Sequence, residues 1–341
     1  MSRPLLLGIA ALANTILALS VPPTWTLLPT NSTARFRGLS AVSRTTAWVS
    51  GSNSTILRTT NSGSTWVSVG PSTVPALDFR DIQAWSADTA VALSIGAGND
   101  SRIYTTANGG RSWVLAFVNE DLDAFYDCFA FDSGGYGMAL SDPVNGKFRL
   151  LETRDAGRSW GVVSDADMPS ARAGEAAFAA SGTCVATAGG RWYIASGGTD
   201  PGRVFRSGDG RRWDVSDAAV AGGEGKGVFS VQFRDGRVGI AVGGDYEAPE
   251  GDGDNAAWTG DGGVTWVPAT SFPAGYRSGS AWVPGRWGVA LAVGPTGSDV
   301  TFDSGRNWHV FDNGSFDSVE CINGNVCWAS GENGRVARLG L

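Results

Sequence analysis

One pattern recurs along this chain and constrains it more than anything else: a hydroxyl residue, then Asp or Asn, then Gly, then Trp. It reads Thr59-Thr-Asn61-Ser-Gly63-Ser-Thr65-Trp66, then Thr106-Ala-Asn108-Gly-Gly110-Arg-Ser112-Trp113 and Thr153-Arg-Asp155-Ala-Gly157-Arg-Ser159-Trp160. Two more full copies are Thr259-Gly-Asp261-Gly-Gly263-Val-Thr265-Trp266 and Thr301-Phe-Asp303-Ser-Gly305-Arg-Asn307-Trp308; Ser207-Gly-Asp209-Gly210-Arg-Arg-Trp213 is one residue short. The chemistry is local. A short Asp or Asn side chain accepts hydrogen bonds from N–H groups of its own turn, and Gly supplies a backbone of positive φ. The six tryptophans are separated by 47, 47, 53, 53 and 42 residues, the length of a four-stranded propeller blade.

Each unit carries an alternating strand pair upstream of its turn, as in Ala47-Trp-Val-Ser-Gly, Gly137-Met-Ala-Leu-Ser, Gly239-Ile-Ala-Val-Gly and Gly288-Val-Ala-Leu-Ala. The segment Cys327-Trp-Ala-Ser-Gly-Glu-Asn-Gly-Arg-Val-Ala-Arg-Leu repeats the first unit but stops before any such turn. Near the other end, Thr24-Trp-Thr-Leu-Leu-Pro29 matches the strand that follows the turn elsewhere. The two ends are complementary, so the N-terminal strand is expected to complete the last blade and remove the exposed sheet edge. The expected fold is all-β: one seven-bladed propeller over residues 21–341, its ring closed by the N-terminal strand.

These turns resemble the Asp-box of BNR/Asp-box propellers, a superfamily that includes sialidases, xyloglucanases and sortilin-type receptors. The chain more closely resembles the photosystem II stability and assembly factor family and its non-photosynthetic secreted relatives, over essentially the whole length after residue 20. The resemblance implies a non-enzymatic assembly factor, since such proteins hold an unassembled subunit through an arginine patch. Asn61, Asn108, Asp155, Asp209, Asp261 and Asp303 are then the structural Asp-box residues.

Composition narrows the chemistry. His309 is the single histidine, so a Ser-His-Asp triad, a multi-histidine zinc site or a haem pocket would each rest on that residue. A net charge of -7 with no basic stripe disfavours nucleic acid, whose binding depends on counterion release. Neither metal nor cofactor is expected, for the dinucleotide fingerprint is absent. Gly222-Gly-Glu-Gly-Lys-Gly227 lacks the spacing of a phosphate loop and reads as an inter-blade loop. Glu250-Gly-Asp252-Gly-Asp254-Asn255 is too short for an EF-hand and reads as a solvated turn.

The start, Met-Ser-Arg-Pro, an apolar run from Leu5 to Leu19 and the small-x-small end Ala18-Leu19-Ser20 describe a secretory signal over residues 1–20. No stretch is long enough for a membrane span of roughly 20 residues, and a secreted, extracytoplasmic monomer is expected. Sequons at Asn31, Asn53, Asn99 and Asn313 are candidate glycosylation sites. Cys321 and Cys327 flank a turn and are expected to form a cross-strand disulfide. Cys128 and Cys184 read as small buried hydrophobes, with a bridge between them left open.

Function is expected opposite the Asp-box turns, where a rigid scaffold presents loops. Aligned on the inner strand, Phe36-Arg37-Gly38, Phe79-Arg80-Asp81 and Tyr276-Arg277-Ser278 fall at one level, with Phe316-Asp317-Ser318 and Phe125-Tyr126-Asp127 beside them. Arg37, Arg80 and Arg277 would converge on one arc of the channel mouth and bind an acidic or carboxylate-bearing protein, peptide or glycan. Asp127, Arg172 and Tyr246 are the remaining ligand-binding candidates. The alternative is a glycoside hydrolase of sialidase or xyloglucanase type, its acid and base drawn from Asp142, Glu175 and Asp245.

Overall fold

The computed structural model describes residues 23–72, 74, 76–322 and 326–340. The proposed signal segment, residues 1–20, lies outside them. Seven four-stranded antiparallel sheets stand around a central channel. Blade one shows the plan: Phe36–Ala41 innermost, then Ala47–Gly51, Ile56–Thr59 and, outermost, Val67–Ser68. The strands are short and alternate, and the second strand of each blade is buried on both faces because neighbouring blades pack against it. Ala47–Gly51 is buried at every position.

The recurrent turn joins the third and fourth strands. In blade one the Thr59 hydroxyl accepts the Gly63 N–H at 3.0 Å, and Asn61 Oδ1 accepts the Thr65 N–H at 3.0 Å. Gly63 has φ +80, and a Cβ there would stand 2.5 Å from Leu28 of the adjacent blade. The one-residue-short copy keeps both bonding roles: Ser207 accepts the Gly210 N–H, while Asp209 accepts those of Arg211 and Arg212. Those two donors hold the Asp209 carboxyl down at about 2. The tryptophans then tie blade to blade, as where Trp113 Nε1 donates to Val69 O at 2.7 Å.

Ring closure follows the expected route. Trp25–Leu28 pairs antiparallel with the last strand, Trp25 opposite Leu339 and Leu28 opposite Val336. Trp25 is buried against Phe316 at 5.2 Å, and its Nε1 donates to Ser298 Oγ at 3.0 Å.

Cys321 and Cys327 sit opposite each other on adjacent strands and are joined. Cys128 and Cys184 are corrected from buried thiols to a second disulfide, linking blade three to blade four. Both cysteines are buried, and they are 56 residues apart in sequence, brought together where blades three and four pack in the ring.

Blade four departs from the plan. Its innermost strand, Val185–Ala188, has four residues, and the chain before it crosses the channel instead of lining it. Ala179 O accepts from Arg37 and Arg80 of blades one and two, and Ser181 Oγ donates to Ser278 O of blade six at 2.7 Å. Thr183 Oγ1 reaches Ser230 Oγ of blade five at 2.8 Å. Residues 177–183 thus form a plug, and the run Ala176-Ala-Phe-Ala-Ala-Ser-Gly182 is small enough to pass through the channel.

Candidate functional site

Four innermost strands open with a bulge near the mouth, between Phe36 and Gly38, Phe79 and Asp81, Tyr126 and Cys128, and Val228 and Ser230. A bulge inserts one unpaired residue and re-aims its side chain. The residues so placed are Arg37, Arg80, Asp127 and Phe229. Arg37 and Arg80 lie above the plug and share Ala179 O as acceptor at 3.4 and 3.1 Å.

Arg277 does not join them. Its side chain is wholly buried, donating from Nε to Asp299 at 2.6 Å, from Nη1 to Tyr276 O and Thr296 Oγ1, and from Nη2 to Ala274 O. The backbone explains the correction. Arg277 N donates to Gly243 O of the preceding blade just as Phe36 N donates to Gly331 O, so Arg277 occupies the Phe36 level. The Arg37 level in blade six belongs to Ser278. A slip of one residue turns a mouth side chain into a core one.

The third arginine at the mouth is Arg35, which lies two residues before Arg37. Its Nε and Nη2 grip the Asp317 carboxylate at 2.8 and 2.7 Å, and the side chain stays 42% exposed. Arg80 pairs with Asp78 at 2.8 Å. Arg37 is less well matched. Asp317 stands 4.0 Å from its Nε, beyond hydrogen-bond reach, and that nitrogen is buried without an acceptor. Burial, and then the neighbouring Arg80 charge, push the Arg37 guanidinium below its ordinary pKa.

These arginines border a cavity of about 470 Å³ whose opposite wall is aromatic. Phe178 of the plug stacks on Phe229 at 3.9 Å, Tyr276 meets Phe229 edge-on at 4.6 Å, and Tyr246 stands over both phenylalanines from the rim, half-exposed. Arg35, Phe178 and Phe229 escaped the reading from sequence, and Tyr276 entered it only as the neighbour of Arg277. The Ala-Phe-Ala-Ala run was the one available signal for Phe178.

The remaining candidates are dispersed. Arg172 sits at the blade-four rim, bound to Asp217 at 2.8 Å. Asp127 is buried beneath the arginines; desolvation, then Asp142, push its carboxyl well up, and its Oδ2 has no partner. Asp142 accepts the Ala177 N–H at 2.8 Å, holding the foot of the plug, and burial pushes it to about 6. Glu175 is sealed inside blade four by Arg203, Ser196 and the Arg172 N–H. Asp245 pairs with Lys226 at 3.2 Å and caps the Glu247 N–H. The three proposed hydrolase carboxylates are therefore each committed to a backbone or ionic partner. Among the described residues, no group of three His, Cys, Asp or Glu side chains is arranged to hold a metal.

The fold and site define a seven-bladed propeller with a plugged channel and a mouth of arginines facing aromatics. No family model and no curated protein matches the chain. Among solved structures it is similar to "YCF48 bound to D1 peptide", at 14% identity and a TM-score of 0.64, covering 94% of this chain and 97% of that one. It is similar to "YCF48 from Cyanidioschyzon merolae", at 13% identity, TM-score 0.63 and coverage of 93% and 98%. The WD40 β-propeller domain of Doa1 matches at 9% identity, TM-score 0.60 and coverage of 93% and 97%. The resemblance to photosystem II assembly factors therefore holds at the level of fold.

Proposed function

We propose that this propeller is a non-enzymatic binding module that captures a carboxylate-bearing peptide on its arginine and aromatic mouth, in an extracytoplasmic compartment. The observation that carries this reading is Arg37. Its charge is largely buried, lies beside a second arginine, and has a backbone carbonyl where a carboxylate would bond better. A ligand carboxylate could replace Ala179 O between Arg37 and Arg80, with an adjacent side chain on Phe229 and Tyr246. That a fold neighbour was solved with a peptide bound is consistent with this reading.

Two disulfides support an oxidising compartment. Asn31, Asn53, Asn99 and Asn313 are all exposed, as glycosylation of a secreted monomer would require. Fluorescence anisotropy against a peptide library, each peptide with a free or an amidated C-terminus, tests the mouth. Free-acid peptides should bind, and Arg37→Gln/Arg80→Gln should weaken them about tenfold or more. Equal binding of acid and amide forms, or no effect of the double substitution, would sink the proposal.

A further inference from the structure

The face opposite the arginine mouth carries a second arrangement that the first site does not use. Trp287 lies in the loop between Gly279–Trp282 and Ala290–Gly294 of blade six and is 80% exposed. A lone exposed apolar side chain is ordinary, but this one is held in place. Arg234 of blade five stacks on one face of the indole at 3.5 Å and also lies over Trp282. Arg234 is in turn bound through Nε and Nη2 to Asp235, which caps the N–H groups of Arg237 and Val238. The loop carrying Trp287 is closed by Val283 N to Val289 O at 3.0 Å and Arg286 N to Val283 O at 3.1 Å.

Beside the indole is a cavity of about 500 Å³, bordered by Trp282, Gln232, Glu320 and the disulfide-bonded Cys321. That size falls within the roughly 300–1,000 Å³ of small-ligand sites. It adjoins the lower channel at Gln232, Ala281 and Glu320. We infer that this is a saccharide-binding site, in which a pyranose ring of a glycan lies on the free face of Trp287 and turns its hydroxyls toward Glu320 and Gln232. A pyranose has an apolar C–H face and a hydroxyl edge, matching a flat indole beside a carboxylate and an amide. An apolar side chain from a protein partner would offer Gln232 and Glu320 no hydrogen bond beyond the one Glu320 Oε2 already accepts from the Ala41 N–H at 2.6 Å.

The test is calorimetric and saturation-transfer NMR titration of the full protein with tetrasaccharides built from glucose, xylose, mannose and N-acetylglucosamine. At least one should bind in the millimolar range or tighter, and Trp287→Ala should weaken it about tenfold or more. Glu320→Gln should weaken it less. Trp85→Ala, which removes another exposed indole on blade two, should leave it unchanged, with melting curves confirming that every variant is folded. Absence of binding by the native protein, retention of binding in folded Trp287→Ala, or capture of a protein through Trp287 with no saccharide bound would overturn the inference. Because the site lies across the plug from the arginines, failure of either proposal leaves the other standing.

Discussion

Replacing Arg277 with Ala separates a core arginine from a mouth arginine. The Arg277 and Asp299 side chains are 0% and 1% exposed, and the guanidinium donates to four acceptors. Removing it leaves the Asp299 carboxylate buried with the distant Ala274 N–H at 3.4 Å. Breaking a buried pair from one side costs about 3–5 kcal/mol, because a charge is left uncompensated. Arg80, whose side chain is 26% exposed and whose partner Asp78 is 35% exposed, is a different case; such pairs contribute about 0.2–1 kcal/mol. In a large domain each kcal/mol moves Tm by about 2–4 °C, so Arg277→Ala should melt at least about 6 °C low and Arg80→Ala near the parent. Removing both charges, in Arg277→Met/Asp299→Leu, should recover much of the loss. Thermal and urea melts followed by circular dichroism, with the peptide titration run on each folded variant, read both properties together. Arg277→Ala that melts with the parent and loses peptide binding would place Arg277 at the mouth and refute the register derived from Gly243.

Two further outcomes follow from buried groups. Burial pushes Glu320 up to about 7 from its ordinary 4.5, so between those values the folded state binds more protons than the unfolded one. Stability should then fall as pH rises through that window, by about 3 kcal/mol. Glu320→Gln should flatten the fall, and urea midpoints with the same pH slope in both proteins would contradict it. The disulfides should differ by the loops they close. Cys128–Cys184 spans 56 residues and Cys321–Cys327 spans 6, which gives about 4 and about 2 kcal/mol in the chain-entropy account. Paired Ala substitutions compared by urea unfolding should keep that order; a larger loss at Cys321–Cys327 would count against it.

What could be read from the chain was whatever repeats. The Thr-x-Asp-x-Gly-x-x-Trp turn bonds within itself, so its copies mark the blades, and the complementary ends at Trp25 and Leu339 disclose the closure. Blade six misled because its aromatic–arginine pair mimics Phe36-Arg37 while sitting one residue out of level. Only the hydrogen bond from Arg277 to Gly243 reveals the offset. The Cys128–Cys184 bridge depends on blade three meeting blade four in space, which no local spacing encodes. The plug was illegible for the opposite reason: it is the one inner segment that abandons the repeat, so alignment to the other blades gave it no position.

That plug alters how charge is distributed along the channel. The plug divides the channel along its axis. Arg35, Arg37 and Arg80 lie above Ala179, whereas Asp81 and Glu320 border the cavity below Ser181 and Gly182. Asp81 is spent on the Ile82 and Phe129 N–H groups, and Glu320 Oε2 accepts the Ala41 N–H at 2.6 Å. At the mouth Arg35 and Arg80 are each paired with an acid, so Arg37 is the cation left without a matched partner above the plug. Gly182 is where the plug meets Asp81. Its φ is +74, and a Cβ would come 2.5 Å from Asp81 Oδ1, so a residue without a side chain makes the turn there.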